Sequence, residues 1–186
     1  EAEKNKEQFN EILYQFDVTD SVVYMIGEID GFTLSDLMTR IRTILKSRTE
    51  ETQDNPINLV INSEGGCLYE MLGIVDYIKS LPVKVNTICR GKAFSAAAVI
   101  SCLGTGTRYA SKHSSIMFHQ ASSWLQGKQT DIKANIHHVD HIDNETNKLL
   151  SSATSMDAKE WEEKQRTDFW LSSDRALKLK VIDEIL

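Results

Sequence analysis

Ser95 stands in GKAFSAAAVI, a lone hydroxyl among small residues at the start of an apolar run, and His119 follows in MFHQ. Two glycines, Gly65 and Gly66, close the stretch NSEGG. Acyl transfer needs a nucleophile, a base to take its proton, and backbone N–H groups for the developing oxyanion. Each residue also has a plain structural explanation: a strand-to-helix turn for the glycines, an N-cap for the serine, a packed ring for the histidine. Together they describe one site. Ser95 would attack, His119 would act as base, and the N–H groups of Gly66 and Ala96 would bind the negative oxygen. A carboxylate must then hold the imidazole in its working tautomer. Asp168, in TDFWLSSDRAL, is favoured by chain order and local context, but spacing alone ranks it no higher than several others. Cys67, directly after Gly66, is a second type of nucleophile. Ser95 has the better helix-start context, and free cysteine most often fills core volume.

Side chains so far apart in sequence need rigid elements to bring them together, and the chain alternates strand-like with helix-like runs, the pattern of an α/β fold. SVVYMIG reads as a strand. FTLSDLMTRIRTILKS reads as a helix with Thr33 as N-cap and Leu34, Leu37, Met38, Ile41, Ile44 and Leu45 on one face. INLVIN is a strand broken by SEGG, after which CLYEMLGIVDYIKSL resumes helical period. VKVNTI (83–88) is a strand, Ser95 to Leu103 a buried helix, and SSIMFH a strand ending at His119. A longer helix is expected over about 131–150, with Ile132, Ile136, Val139, Ile142 and Leu149 facing inward. The glycine turn, the serine and the histidine thus fall at carboxyl ends of strands, where ligand sites of open α/β sheets collect.

The chain has 186 residues, enough for one core and short for two, so a single domain over 1–186 is expected. A net charge of -6, with no block of lysine or arginine, argues against a nucleic-acid or anionic-membrane surface and points to protein, peptide or small-molecule partners. Three cysteines without metal-ligand spacing (Cys67, Cys89, Cys102) suit a reducing compartment. The apolar run from Ala93 to Leu103 is too short to span a membrane. His137 and His141, with Asp140 beside them, have i, i+4 spacing that a metal can use. A solvated helix face is the expected reading, and no metal is assigned.

INSEGG, GKAFSAAA, MFHQ, QTDI and DFWLSSDRALKLKVIDEIL, in that order, resemble the proteolytic subunit of the Clp protease, a serine peptidase of the crotonase-like superfamily. The likeness runs from about Phe16 to Leu186. The family's Gly-x-Ala-x-Ser pattern is matched by Gly91, Ala93 and Ser95, and its histidine before glutamine by His119 and Gln120. Its Asp-x-x-x-Ser pattern is matched by Asp168 and Ser172. The resemblance therefore implies a triad of Ser95, His119 and Asp168, with Gly66 and Ala96 as the oxyanion hole. Gly65, Gly66, Ser122, Trp124 and Leu125 become substrate-binding positions. It implies a head of βαβ-type units with a projecting handle at about 121–150, and heptameric rings stacked as a tetradecamer. Substrates would be peptides or unfolded chains threaded by a hexameric AAA+ unfoldase, and the peptidase itself would use no cofactor. Specificity would come from access more than from a deep pocket. A cytoplasmic location follows from the same likeness, with an organelle stroma or matrix or a phage-infected cell as the other settings.

Against that family the chain departs in four places. Glu64 replaces proline in the glycine turn and adds a negative charge near the substrate strand; ASSWLQG (121–127) replaces a glycine-rich approach to the handle. Thr167 stands where bacterial members carry an arginine that pairs between rings, and the first sixteen residues lack the axial-loop pattern and read as charged helix or leader. Two other functions are weighed with the peptidase: a catalytically silent ring subunit, and a crotonase-type acyl-CoA enzyme that would not need Ser95.

Overall fold

The computed structural model describes residues 16–122 and 126–186; the expected leader up to residue 15, and Trp124 and Leu125, lie outside them. Strand β1 (Phe16–Asp17) pairs antiparallel with β2 (Val22–Ile29). Helix α1 (Thr33–Ser47), β3 (Ile57–Gly66), α2 (Leu68–Ser80) and β4 (Val85–Phe94) follow, with β2, β3 and β4 parallel. This is the expected βαβ head. Its buried face is built from period-two strand residues such as Leu59 and Ile61 and period-3.6 helix residues such as Leu37, Ile41 and Ile44, all removed from water.

Two features of the α/β reading change in detail. Phe32, not Thr33, occupies the N-cap position of α1. The Thr33 hydroxyl instead accepts from the Asp30 N–H at 2.9 Å, closing the turn before the helix. The strands β3 and β4 also run on past INLVIN and VKVNTI to Gly66 and Phe94, through register shifts after Ile61. A glycine within an apolar run is the sequence sign of such an irregularity. Gly91 carries it, at φ 91°, where its N–H donates to Ser114 Oγ at 3.1 Å.

That bend lets β4 serve two neighbours. Its first half, Thr87 to Cys89, pairs with β5 (Arg108–Ala110), a strand too short for the sequence pattern to reveal. Its second half, Lys92 to Phe94, pairs with β6 (Ser115–Phe118). Beyond the buried helix α3 (Ala96–Cys102), helix α4 (Gln129–Ala153) projects as the handle. Helix α5 (Ala158–Lys164) leads to β7 (Phe169–Ser172), which pairs antiparallel with β6. Helix α6 (Ser173–Lys178) and β8 (Glu184–Ile185), parallel to β5, close the fold. Ser172 caps α6, its Oγ accepting from the Arg175 N–H at 3.4 Å.

Of the five apolar residues expected to face inward from the handle, only Ile142 is buried within the chain. Leu149 packs partly on the core, while Ile136 is 45% exposed. The first half of the helix is mostly exposed and meets the head where His138 stacks on Tyr69 at 6.1 Å and Val139 lines a cavity.

Arg108 ties three elements. It donates to Asp183 from Nε at 2.9 Å and Nη2 at 2.6 Å, and from Nη1 to the carbonyls of Cys102 and Ala153, at the ends of α3 and α4. The guanidinium holds the Asp183 carboxyl below the usual carboxylate range. A carboxyl depressed in the folded state contributes stability that is complete above its unfolded pKa, near 4, and is lost as pH falls through the folded value. Thermal melting of Asp183→Asn against the parent should therefore give a constant difference from neutral pH down to about pH 5 that narrows below about pH 4. A difference independent of pH down to about pH 2.5 would mean that the charge of Asp183 contributes nothing.

Candidate active site

Register brings the three candidate side chains together. Phe94 pairs with Met117 across β4 and β6, and Phe118 with Phe169 across β6 and β7. Ser95 follows the end of β4, His119 follows the end of β6, and Asp168 precedes the start of the antiparallel β7, so all three leave one edge of three adjoining strands. The edge is stiffened from behind. Phe118 and Phe169 both set ring edges against the buried Trp161, at centroid distances of 4.7 and 6.1 Å, and Phe94 meets Trp170 at 5.1 Å. Trp161 was not singled out from the sequence, where one tryptophan in a charged helix carries no sign of burial.

Ser95 occupies the N-cap position of α3, but its hydroxyl does not cap the helix. It has φ 55° and ψ -124°, and its side chain makes no capping bond. Its N–H donates to the Met117 carbonyl at 2.7 Å, and its Oγ lies 2.8 Å from His119 Nε2. A positive φ in a non-glycine residue costs of order 1–3 kcal/mol and persists only where surrounding structure holds it, a frequent feature of functional residues. Here it sharpens the strand-to-helix turn and leaves the hydroxyl outside the helix. His119 Nδ1 faces Asp168 Oδ1 at 3.5 Å, and the Asp168 side chain is 55% exposed. That separation is longer than a good hydrogen bond.

The glycine turn presses against this centre. A Cβ on Gly65 would come within 2.5 Å of the Phe94 carbonyl oxygen and 2.8 Å of Ser95 Cβ, and one on Gly66 would collide with the Ile29 carbonyl. Both have positive φ, 95° and 150°. The Gly65 N–H is taken by Ser63 Oγ at 3.0 Å. Gly66 and Ala96 line the cavity beside Ser95, and Ala96 begins a helix, where N–H groups lack intrahelical acceptors. Ser122 lines the same cavity, while Gly65 is buried against Phe94 and Ser95 and is not among the lining residues.

The charge expected from Glu64 is met on the surface, where its carboxylate pairs with Lys92 Nζ at 2.9 Å and is held below its ordinary pKa by it. Cys67 lines the cavity, but the imidazole is engaged by Ser95. Burial pushes the Cys89 and Cys102 thiols up to about 11 and about 12, so neither supplies thiolate near neutral pH. His137, Asp140 and His141 are exposed, and among the described residues no trio of metal-ligating side chains converges. No helix among them is long and apolar enough to cross a membrane.

Residues 4–186 match the family model described as Clp protease. The chain belongs to the Clp protease family. It is 32% identical over 170 residues to an ATP-dependent Clp protease proteolytic subunit of Bacteroides fragilis, covering 90% of this chain and 79% of the relative. Subunits of the same description from Porphyromonas gingivalis and Bacteroides thetaiotaomicron are 29% and 30% identical, each over 90% of this chain and 74% of theirs. The mixed sheet, the βαβ head and the long projecting helix are consistent with the Clp and crotonase-like architecture.

Proposed function

We propose that the chain is a serine endopeptidase subunit that cleaves peptides and unfolded chains with Ser95, His119 and Asp168. The observation that carries this is the 2.8 Å approach of Ser95 Oγ to His119 Nε2, made by a serine at positive φ whose hydroxyl makes no capping bond to its helix. Ser95 Oγ attacks the scissile carbonyl while Nε2 takes its proton, and the N–H groups of Gly66 and Ala96 receive the oxyanion. The imidazolium then protonates the departing amine, and water repeats the sequence in reverse on the acyl-serine. Asp168 keeps the proton on Nδ1 throughout. No step calls for a nucleotide or metal. A fluorophosphonate probe tests this, since an activated serine alone reacts. Labelling mapped to Ser95 is expected. An inert protein that is folded and assembled would favour the silent-subunit or acyl-CoA alternatives.

The same reading extends to assembly. Ile136 is exposed on the handle with the half-buried Ile132 and Val139 one turn to either side, a stripe suited to burial against another subunit. Heptameric rings stacked through their handles would cover it, and would carry Asp168 the few tenths of an ångström that separate it from a good bond to His119. Thr167 offers no cation for a ring-to-ring pair, and its neighbour Arg166 is paired with Glu162 at 3.4 Å within the chain. Native mass spectrometry at several salt concentrations, with activity measured on the same samples, should show fourteen subunits where the handles interdigitate and single rings of low activity where they do not. A fully active monomer would overturn the compartment. An AAA+ unfoldase is the proposed partner for folded substrates, and the cytoplasm the proposed setting.

A further inference from the structure

The space beside Ser95 is a cavity of about 350 Å³, not only a surface groove, so access is not the sole possible source of selectivity. Leu68, Met71 and Val99 form its apolar wall. Helix α4 lines another part of it with a stripe that is polar except for Val139: Asn135, His138, Asp143, Thr146 and Asn147, with Ser122 at the approach. Asp143 is half-buried, and among the described residues it forms no ion pair. Among the described residues its one hydrogen bond is from the Ala121 N–H at 3.4 Å, which takes up little of its acceptor capacity. Burial and the neighbouring Asp140 raise its pKa, while the Ala121 N–H and His119 oppose them. One turn along, Thr146 is buried with a hydroxyl that has no partner among the described residues.

An apolar substrate side chain entering this cavity would strip water from a carboxylate and replace none of its hydrogen bonds. An acidic one would meet Asp143 and Asp140. A long basic side chain fits both walls, its methylene stem on Leu68, Met71 and Val99 and its cation on the carboxylate. Resting on the peptidase reading above, we infer that this cavity receives the side chain on the acyl side of the scissile bond and selects lysine or arginine there, with Asp143 as the countercharge.

Acetylated tripeptide aminocoumarin amides that end in lysine, arginine, leucine or glutamate test it on the assembled protein. Basic ends should exceed leucine in kcat/KM by on the order of tenfold or more. Asp143→Asn should cut the lysine-to-leucine ratio by at least about tenfold, and Asp143→Lys should turn the preference toward glutamate. Equal losses on every peptide, with the ratio unchanged, would assign Asp143 to holding Ala121 and overturn the proposal, as would a leucine preference in the parent. Calorimetric binding of the matching tripeptide acids needs no turnover. If no amide is cleaved, the peptidase reading fails, and tighter binding of the lysine acid, lost in Asp143→Asn, still upholds the pocket. Indifference among the acids refutes it.

Discussion

Ser95→Ala is expected to abolish peptide hydrolysis while leaving fold and assembly unchanged. Removing the nucleophile of a triad costs about 10⁶-fold in turnover, because the remaining members have nothing to activate. The structure gives a reason to expect little structural cost. The Ser95 hydroxyl caps no helix, its side-chain contact of note is His119, and the N–H bond to Met117 belongs to the backbone and survives the change. Alanine has the same Cβ as serine and so inherits the strained turn without a new clash. Turnover of a fluorogenic peptide, read with the melting temperature and native mass, separates catalysis from folding. Residual turnover above about one per cent of the parent would move the nucleophile elsewhere. Cys67, the cavity thiol, would then be the next residue to replace.

Asp168→Asn should lower turnover by on the order of 10⁴-fold. An amide in place of the carboxylate can donate to Nδ1 and so leave the proton on Nε2, where it blocks acceptance from Ser95. It also removes the negative charge that balances the imidazolium as the proton arrives. The Asp168 side chain is more than half exposed, so the substitution should change melting little and the loss should appear in kcat. Near-normal turnover would reassign the third member, and Asp143, the other carboxylate whose charge acts on His119, is the residue to which it would pass.

From sequence alone the α/β pattern, the buried helix after Ser95 and the strand leading to His119 were legible, because each is written in local periodicity: alternation or continuous hydrocarbon for strands, 3.6-residue spacing for helices. Ser95, His119 and the glycine turn could also be grouped by chemistry. Asp168 could not be chosen over other carboxylates by spacing, and only likeness to a family brought it forward. Tertiary structure decided what local pattern cannot encode. The bend of β4 at Gly91, where one strand changes partners from β5 to β6, is set by contacts with Ser114, far along the chain. The pairing of Phe94 with Met117 and of Phe118 with Phe169 then brings Ser95, His119 and Asp168 to one edge. Burial of Trp161, pairing of Glu64 with Lys92, and the placing of Asp143 in the cavity wall are likewise results of packing. A side chain's type is local, but its neighbours, and hence its charge state and reach, depend on residues that only the folded chain brings near.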